Sequence, residues 1–243
     1  MGERELDVLT VRIYERPGAA PIVPRWLTAA RAHLPEALPV RFGDTEPLRG
    51  RFGRAGEQGL LAAYASSDQF LFMIGSPPVH HASVAAPPGP KWGLTVSHSL
   101  DVETGPDDER VRRFAPALAG PATVYISASV AGGLLLDGRT LVGPPTDPPE
   151  PYLAALGDWL GLPPSPPSWC WFGPGYVPLL RRAVKAEPLA GGLFRTGGPW
   201  VPARLRARPH ESDPANRHAR RMPRGLRRSA WRQMIDAVRS GGR

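Results

Sequence analysis

Leu6-Asp7-Val8-Leu9-Thr10-Val11-Arg12-Ile13-Tyr14-Glu15 decides the fold class. Leu9, Val11 and Ile13 fall on one side of an extended backbone, and Thr10, Arg12 and Tyr14 on the other. That period of two predicts a half-buried strand, which Pro17-Gly18 ends. The next run changes period. Val23, Trp26, Leu27, Ala30, Leu34 and Leu38 recur at helical spacing, so Ile22–Leu38 reads as a helix with Pro24 in its first turn. Val40–Phe42 starts a short strand. Glu57–Ala65 is a second helix, and Phe70–Ile74 a compact strand closed by Gly75-Ser76-Pro77-Pro78.

Further out, Val79–Val84 and Trp92–Leu100 are strands flanking a Pro/Gly turn, which suggests a hairpin. Asp107–Leu118 is a helix whose acidic start suits the macrodipole. Thr123–Val130 and Leu134–Val142 are strands, with Asp137-Gly138 as a turn. Pro149–Leu162 reads as a helix, and Pro163–Pro167 as a rigid extended stretch leading into Trp169-Cys170-Trp171-Phe172. Val177–Val184 is one more helical run. Strand pairs lie close in sequence. The expected fold class is therefore α+β, a mixed and largely antiparallel sheet with packed helices, rather than a doubly wound α/β fold.

Charge divides the chain. Arg181–Arg243 holds sixteen Arg or Lys against four Asp or Glu, and Met1–Leu180 holds fourteen against eighteen. The expected organisation is a globular domain over residues 1–184 and a basic, partly helical extension over 185–243. In the extension, Leu226, Ala230, Met234 and Val238 recur every four residues, an amphipathic pattern with arginines on its flanks. Only Lys91 and Lys185 among the thirty basic residues are lysine. Arginine use on that scale, with abundant Ala, Gly and Pro, points first to coding bias. A single cysteine, Cys170, excludes an intrachain disulfide framework. The charged start Met1–Glu5 lacks the apolar core of a signal peptide, and the apolar runs are too short to cross a bilayer. A cytoplasmic protein with no membrane span is expected.

No segment carries a strong catalytic signature. There is no nucleophile elbow, phosphate-cradling Gly-rich loop or HExxH pattern. His80 or His81 with His98 and Asp101 could converge on a divalent metal and support a metal-dependent hydrolase. Yet neighbours on a strand point to opposite faces, so at most one of His80 and His81 can join His98. The plainer reading is strand histidines with local partners, and no metal or other cofactor is expected. Cys170, between two tryptophans, reads as a buried and inert thiol. The arginines of the extension, Arg217, Arg220, Arg221, Arg224, Arg227, Arg228 and Arg232, could neutralise nucleic-acid phosphates. The Trp169–Tyr176 cluster reads as a core strand. Tyr176, past its Gly-Pro turn, is the member expected to be exposed and free for a partner.

Two segments carry a resemblance. Arg41-Phe42-Gly43-Asp44-Thr45-Glu46-Pro47-Leu48-Arg49-Gly50 contains an fGxxEPL pattern, and Trp171-Phe172-Gly173-Pro174-Gly175-Tyr176 a WFGxxY pattern. In this order, with Phe70-Leu71-Phe72 and Gly75-Ser76-Pro77-Pro78 between them, the chain over residues 6–182 resembles the small α+β immunity proteins of bacterial polymorphic toxin systems and related uncharacterised proteins of GC-rich bacteria. The resemblance implies a non-enzymatic cytoplasmic protein that occludes a cognate toxin. Arg41, Asp44, Glu46 and Arg49, on the loop after the first helix, together with Tyr176, are the expected contact residues. The basic extension departs from that pattern. The merely mildly acidic body gives no reason to expect a nuclease toxin.

Overall fold

A computed structural model describes residues 4–16, 19–86, 96–137, 140–142 and 161–206. The alternating stretch becomes β1 (Arg4–Glu15), the middle of an eleven-stranded sheet. α1 (Ile22–His33) follows. Its buried Ile22, Val23, Trp26, Leu27, Ala29 and Ala30 form one stripe, and Arg31 and His33 in its last turn suit the helix dipole. The helix stops short of the expected Leu38, because the residue before a proline is driven out of helical geometry. Leu34 leaves helical geometry there (φ −146°, ψ 74°), and a 3-10 turn over Pro35–Ala37 completes the segment.

Then come β2 (Arg41–Gly43), β3 (Gly50–Arg51) and α2 (Phe52–Ser66). α2 kinks at Gly56 (φ 65°), a backbone position that favours glycine. The expected helix from Glu57 is the part beyond that kink. β4 (Phe70–Ile74), β5 (Val79–Ala85) and β6 (Val96–Val102) lead to α3 (Glu109–Ala117), which Asp108 caps by accepting a hydrogen bond from the Arg110 amide. β7 (Thr123–Asp137) merges most of two expected strands into one, running through Gly132 and Gly133. β8 (Thr140–Val142) pairs back on it. β9 (Trp169–Phe172), α4 (Val177–Leu180), β10 (Glu187–Leu189) and β11 (Gly192–Arg195) complete the described elements, with a 3-10 turn at Ala203–Leu205.

The sheet order is β10-β11-β9-β7-β1-β6-β5-β4-β2-β3, with β8 on β7. The fold is α+β. Each strand pairing among the described residues is antiparallel, and the one parallel contact is an isolated bridge between Leu162 and Arg206. Two apolar layers flank the sheet. On one face, Leu9, Val11 and Ile13 pack with Trp26, Leu27, Leu60, Phe114, Trp169 and Trp171. Trp26 meets Phe114 edge-on with ring centroids 5.1 Å apart, and its indole donates to the Ala37 carbonyl at 2.9 Å. Full burial of one such aromatic contributes roughly 1.5–3 kcal/mol. On the other face, Tyr14, Tyr125, Cys170, Phe172 and Tyr176 pack with Leu193, Trp200, Val201 and Leu205. The Trp-Cys-Trp-Phe run is therefore buried on both faces, which is why it is apolar without alternation.

The expected boundary at residue 184 does not divide the sheet. β10 and β11 extend it beyond that point, and Trp200, Val201 and Leu205 lie in the second apolar layer. The helix expected over 149–162 falls outside the described residues up to 160, as does the amphipathic run of the basic extension beyond Arg206.

Candidate functional site

The β2–β3 hairpin ends the sheet and carries four of the five expected contact residues. Phe42 is buried and faces Gly50. A Cβ at Gly50 would lie 2.5 Å from the Phe42 ring and 2.7 Å from its carbonyl oxygen, so the glycine is what lets the two strands close. At the far end of the loop Leu48 is buried, with its Cα and a side-chain methyl 3.5 Å from the Cβ position of Gly43. Phe42 and Leu48 thus pin both ends of the turn. Asp44, Thr45, Glu46 and Pro47 are left exposed, as is Arg49, and Arg41 is half-buried.

Two residues that the sequence reading did not single out complete this surface. Arg51 pairs directly with Arg41 across the ladder, and Arg54 is exposed in the first turn of α2, where there is no acid. Like charges directly opposite on a ladder cost a few tenths to about 1 kcal/mol. Cations at a helix start oppose its dipole. The signal was present as two arginines flanking a short turn, but their facing depends on register. None of Arg41, Asp44, Glu46, Arg49, Arg51 and Arg54 forms an ion pair among the described residues, whereas Arg4, Arg25, Arg31, Arg110, Arg112 and Arg113 each meet a carboxylate.

Tyr176 is not part of that surface. It is fully buried, with its ring 5.9 Å from Phe172. The Gly173-Pro174-Gly175 turn reverses the chain, the Tyr176 amide bonds the Gly173 carbonyl, and the side chain folds back onto its own strand. The expected exposure is corrected by that reversal.

The histidines also regroup. A register shift between Val79 and His81 inserts His80 as an extra residue in β5. His80 then meets Glu103 at 3.1 Å, while His81 lies 3.9 Å from Asp101. His98 sits on the helix-covered face, paired with Ile13 and Val84 in register, and bonds Glu15. The bulge therefore brings both neighbouring histidines beside acids and leaves His98 apart. No group of three or more metal-ligating side chains forms among the described residues, so the His80/His81–His98–Asp101 centre is not assembled.

Around His98 lies a buried polar cluster. The Ala85 amide donates to His98 Nδ1 at 3.1 Å, which leaves the ring proton on Nε2, facing Glu15 at 3.3 Å. Thr123 donates to Glu15 at 2.6 Å, and Arg25 reaches both carboxylate oxygens at 2.9 and 2.7 Å. Burial alone pushes the Glu15 carboxyl up. The bonds from His98 and Arg25, and the charge of Arg25, more than offset this and hold it at about 2. Every oxygen is occupied by an internal donor, so the cluster ties α1 to the sheet.

The arginines proposed for nucleic acid, Arg217 to Arg232, lie outside the described residues. No helix among the described residues is long and apolar enough to cross a membrane. No family model, curated protein or solved structure matches the chain.

Proposed function

We propose that this protein acts by binding another protein, with the β2–β3 hairpin and the first turn of α2 as its contact surface. The observation that carries the reading is a set of six charges, of both signs, none in an ion pair among the described residues: Asp44 and Glu46 on the turn that Phe42 and Leu48 anchor, Arg41, Arg49 and Arg51 beside it, and Arg54 at the start of α2. A pinned loop loses little conformational entropy on association. Fixed unpaired charges steer an encounter and set its register. Arg41, Arg49, Arg51 and Arg54 fit an acidic surface, while Asp44 and Glu46 at the tip require basic groups opposite them. Occlusion by this surface needs no covalent chemistry. The resemblance to immunity proteins supplies the specific form: an inhibitor that covers a cognate toxin in the cytoplasm.

The test uses the full chain as bait. The expected result is a stoichiometric protein partner that the wild type retains and the D44K/E46K/R49E variant loses, while R113A, on α3, retains it. Under the immunity form the partner is a toxin, and co-expression of the wild type alone relieves its toxicity. A partner held equally by the hairpin variant would refute the assigned surface. Recovery of no partner would refute the binding role.

A further inference from the structure

Arg12 stands in the middle of β1 on the face opposite α1, α2 and α3, a position where a cation is costly. The two neighbours across the ladder are Ser99 of β6 and Ser127 of β7. Further along the same row lie Ser83 on one side, and Cys170 and Arg195 on the other. That row contains no carboxylate. The acid on the diagonal, Asp101, accepts the Thr10 hydroxyl at 2.8 Å and lies beside His81. Arg12 is half-buried, and no hydrogen bond or ion pair among the described residues engages its guanidinium. Arginines withdrawn from water are ordinarily paired, because the charge loses solvation that only an anion or a set of acceptors replaces.

The groups around it are hydroxyls that can donate. Ser83 and Ser99 bond each other at 2.9 Å. Whichever of them donates, one O–H hydrogen of the pair remains. Ser129 lies one row along, opposite Thr10, and Ser97 one row the other way, opposite Tyr14. A planar guanidinium beside the Ser83–Ser99 hydroxyl pair matches the two-oxygen edge of a carboxylate or phosphate.

We propose that the sheet face around Arg12 binds a small ligand through an oxyanion, with Arg12 making the charge-assisted contact and the Ser83–Ser99 pair supplying a further donor. This site is separate from the hairpin and does not depend on the protein-binding role.

The experiment measures thermal stability and titration calorimetry of the full chain with inorganic phosphate and with acetate, each against chloride at equal ionic strength. A ligand that binds only the folded state raises the melting temperature. The expected result is a saturable rise with at least one of the two. Phosphate alone would identify a phosphoryl ligand, and acetate alone a carboxylate. R12Q should weaken binding about tenfold or more, the range lost with a charged hydrogen bond. R12K should also weaken it, because an ammonium cannot present two parallel donors. S99A should weaken it several-fold, and it reports independently if R12Q fails to fold. R113Q, on α3, should leave it unchanged. No stabilisation beyond chloride, or undiminished affinity in R12Q and S99A, would overturn the proposal.

Discussion

Glu15 shows how a charge can be kept inside a sheet protein. It is the one carboxylate among the described residues in the buried class, at 1 % exposure. An isolated carboxylate there would be strongly disfavoured, but this one has donors from Arg25, Thr123 and His98. Its folded carboxyl titrates near 2, against 4.5 as the ordinary value. The lowered value means that ionised Glu15 favours the folded state. That contribution is complete above pH 4.5 and disappears as pH falls from there to about 2. A shift of this size corresponds to about 3 kcal/mol. Urea unfolding of the wild type should therefore lose stability steeply between those limits. E15Q should be less stable at neutral pH and much flatter over the acid window. An acid profile unchanged by E15Q would show that other groups control it. R25M should cost about 3–5 kcal/mol at pH 7, since it leaves the buried carboxylate without its cation.

At the scale of elements, much of the fold was legible because periodicity reports burial directly. The alternation of Leu9, Val11 and Ile13 with Thr10 and Arg12, and the stripe of Ile22, Val23, Trp26 and Ala30, each predict the observed element and its buried side. Register is a different matter. One inserted residue at His80 turned two histidines toward acids, and no local pattern announces a bulge. The same limit hid Arg51 opposite Arg41 and Arg12 between two serines, since both facts belong to pairs of strands. Tyr176 is buried rather than exposed because the turn before it leads the chain back onto the sheet instead of out of the core. Close packing at that turn gives a prediction of its own. A Cβ on Gly173 would lie 2.4 Å from the Thr123 carbonyl oxygen and 2.8 Å from that of Val124, both backbone atoms that cannot swing aside. G173A should therefore lower the unfolding midpoint by the roughly 1–3 kcal/mol typical of overpacking. It should also weaken the near-ultraviolet signal of the neighbouring aromatics. At the start of α3, D108A should cost about 1 kcal/mol through loss of the cap. A midpoint equal to wild type for either variant would contradict the corresponding packing or capping argument.

The whole molecule is organised by strands distant in sequence. β1 is the first strand in the chain, yet its partners are β6 and β7, so that Val11 faces Leu100 and Ala128. The centre of the sheet cannot form until more than half of the chain is available, a topology that folds slowly. The edge beyond β9 depends on residues later still. Leu193 of β11 faces Phe172, the Trp171 indole donates to the Leu189 carbonyl at 2.7 Å, and the Trp200 indole donates to the Pro163 carbonyl at 2.8 Å. A chain cut after Val184 loses all of these, together with the apolar burial of Leu193, Trp200, Val201 and Leu205. At roughly 1.5–3 kcal/mol for each large side chain, the loss is comparable to the 5–15 kcal/mol that stabilises an ordinary domain. Phe172, Tyr176 and Leu180 would also be uncovered. Residues 1–184 should therefore lack a cooperative thermal transition and bind a hydrophobic dye. Residues 1–206, which retain every described strand, should unfold in a single step. A sharp transition for 1–184, matching that of the longer piece, would mean that the late strands merely lie against a sheet that is complete without them.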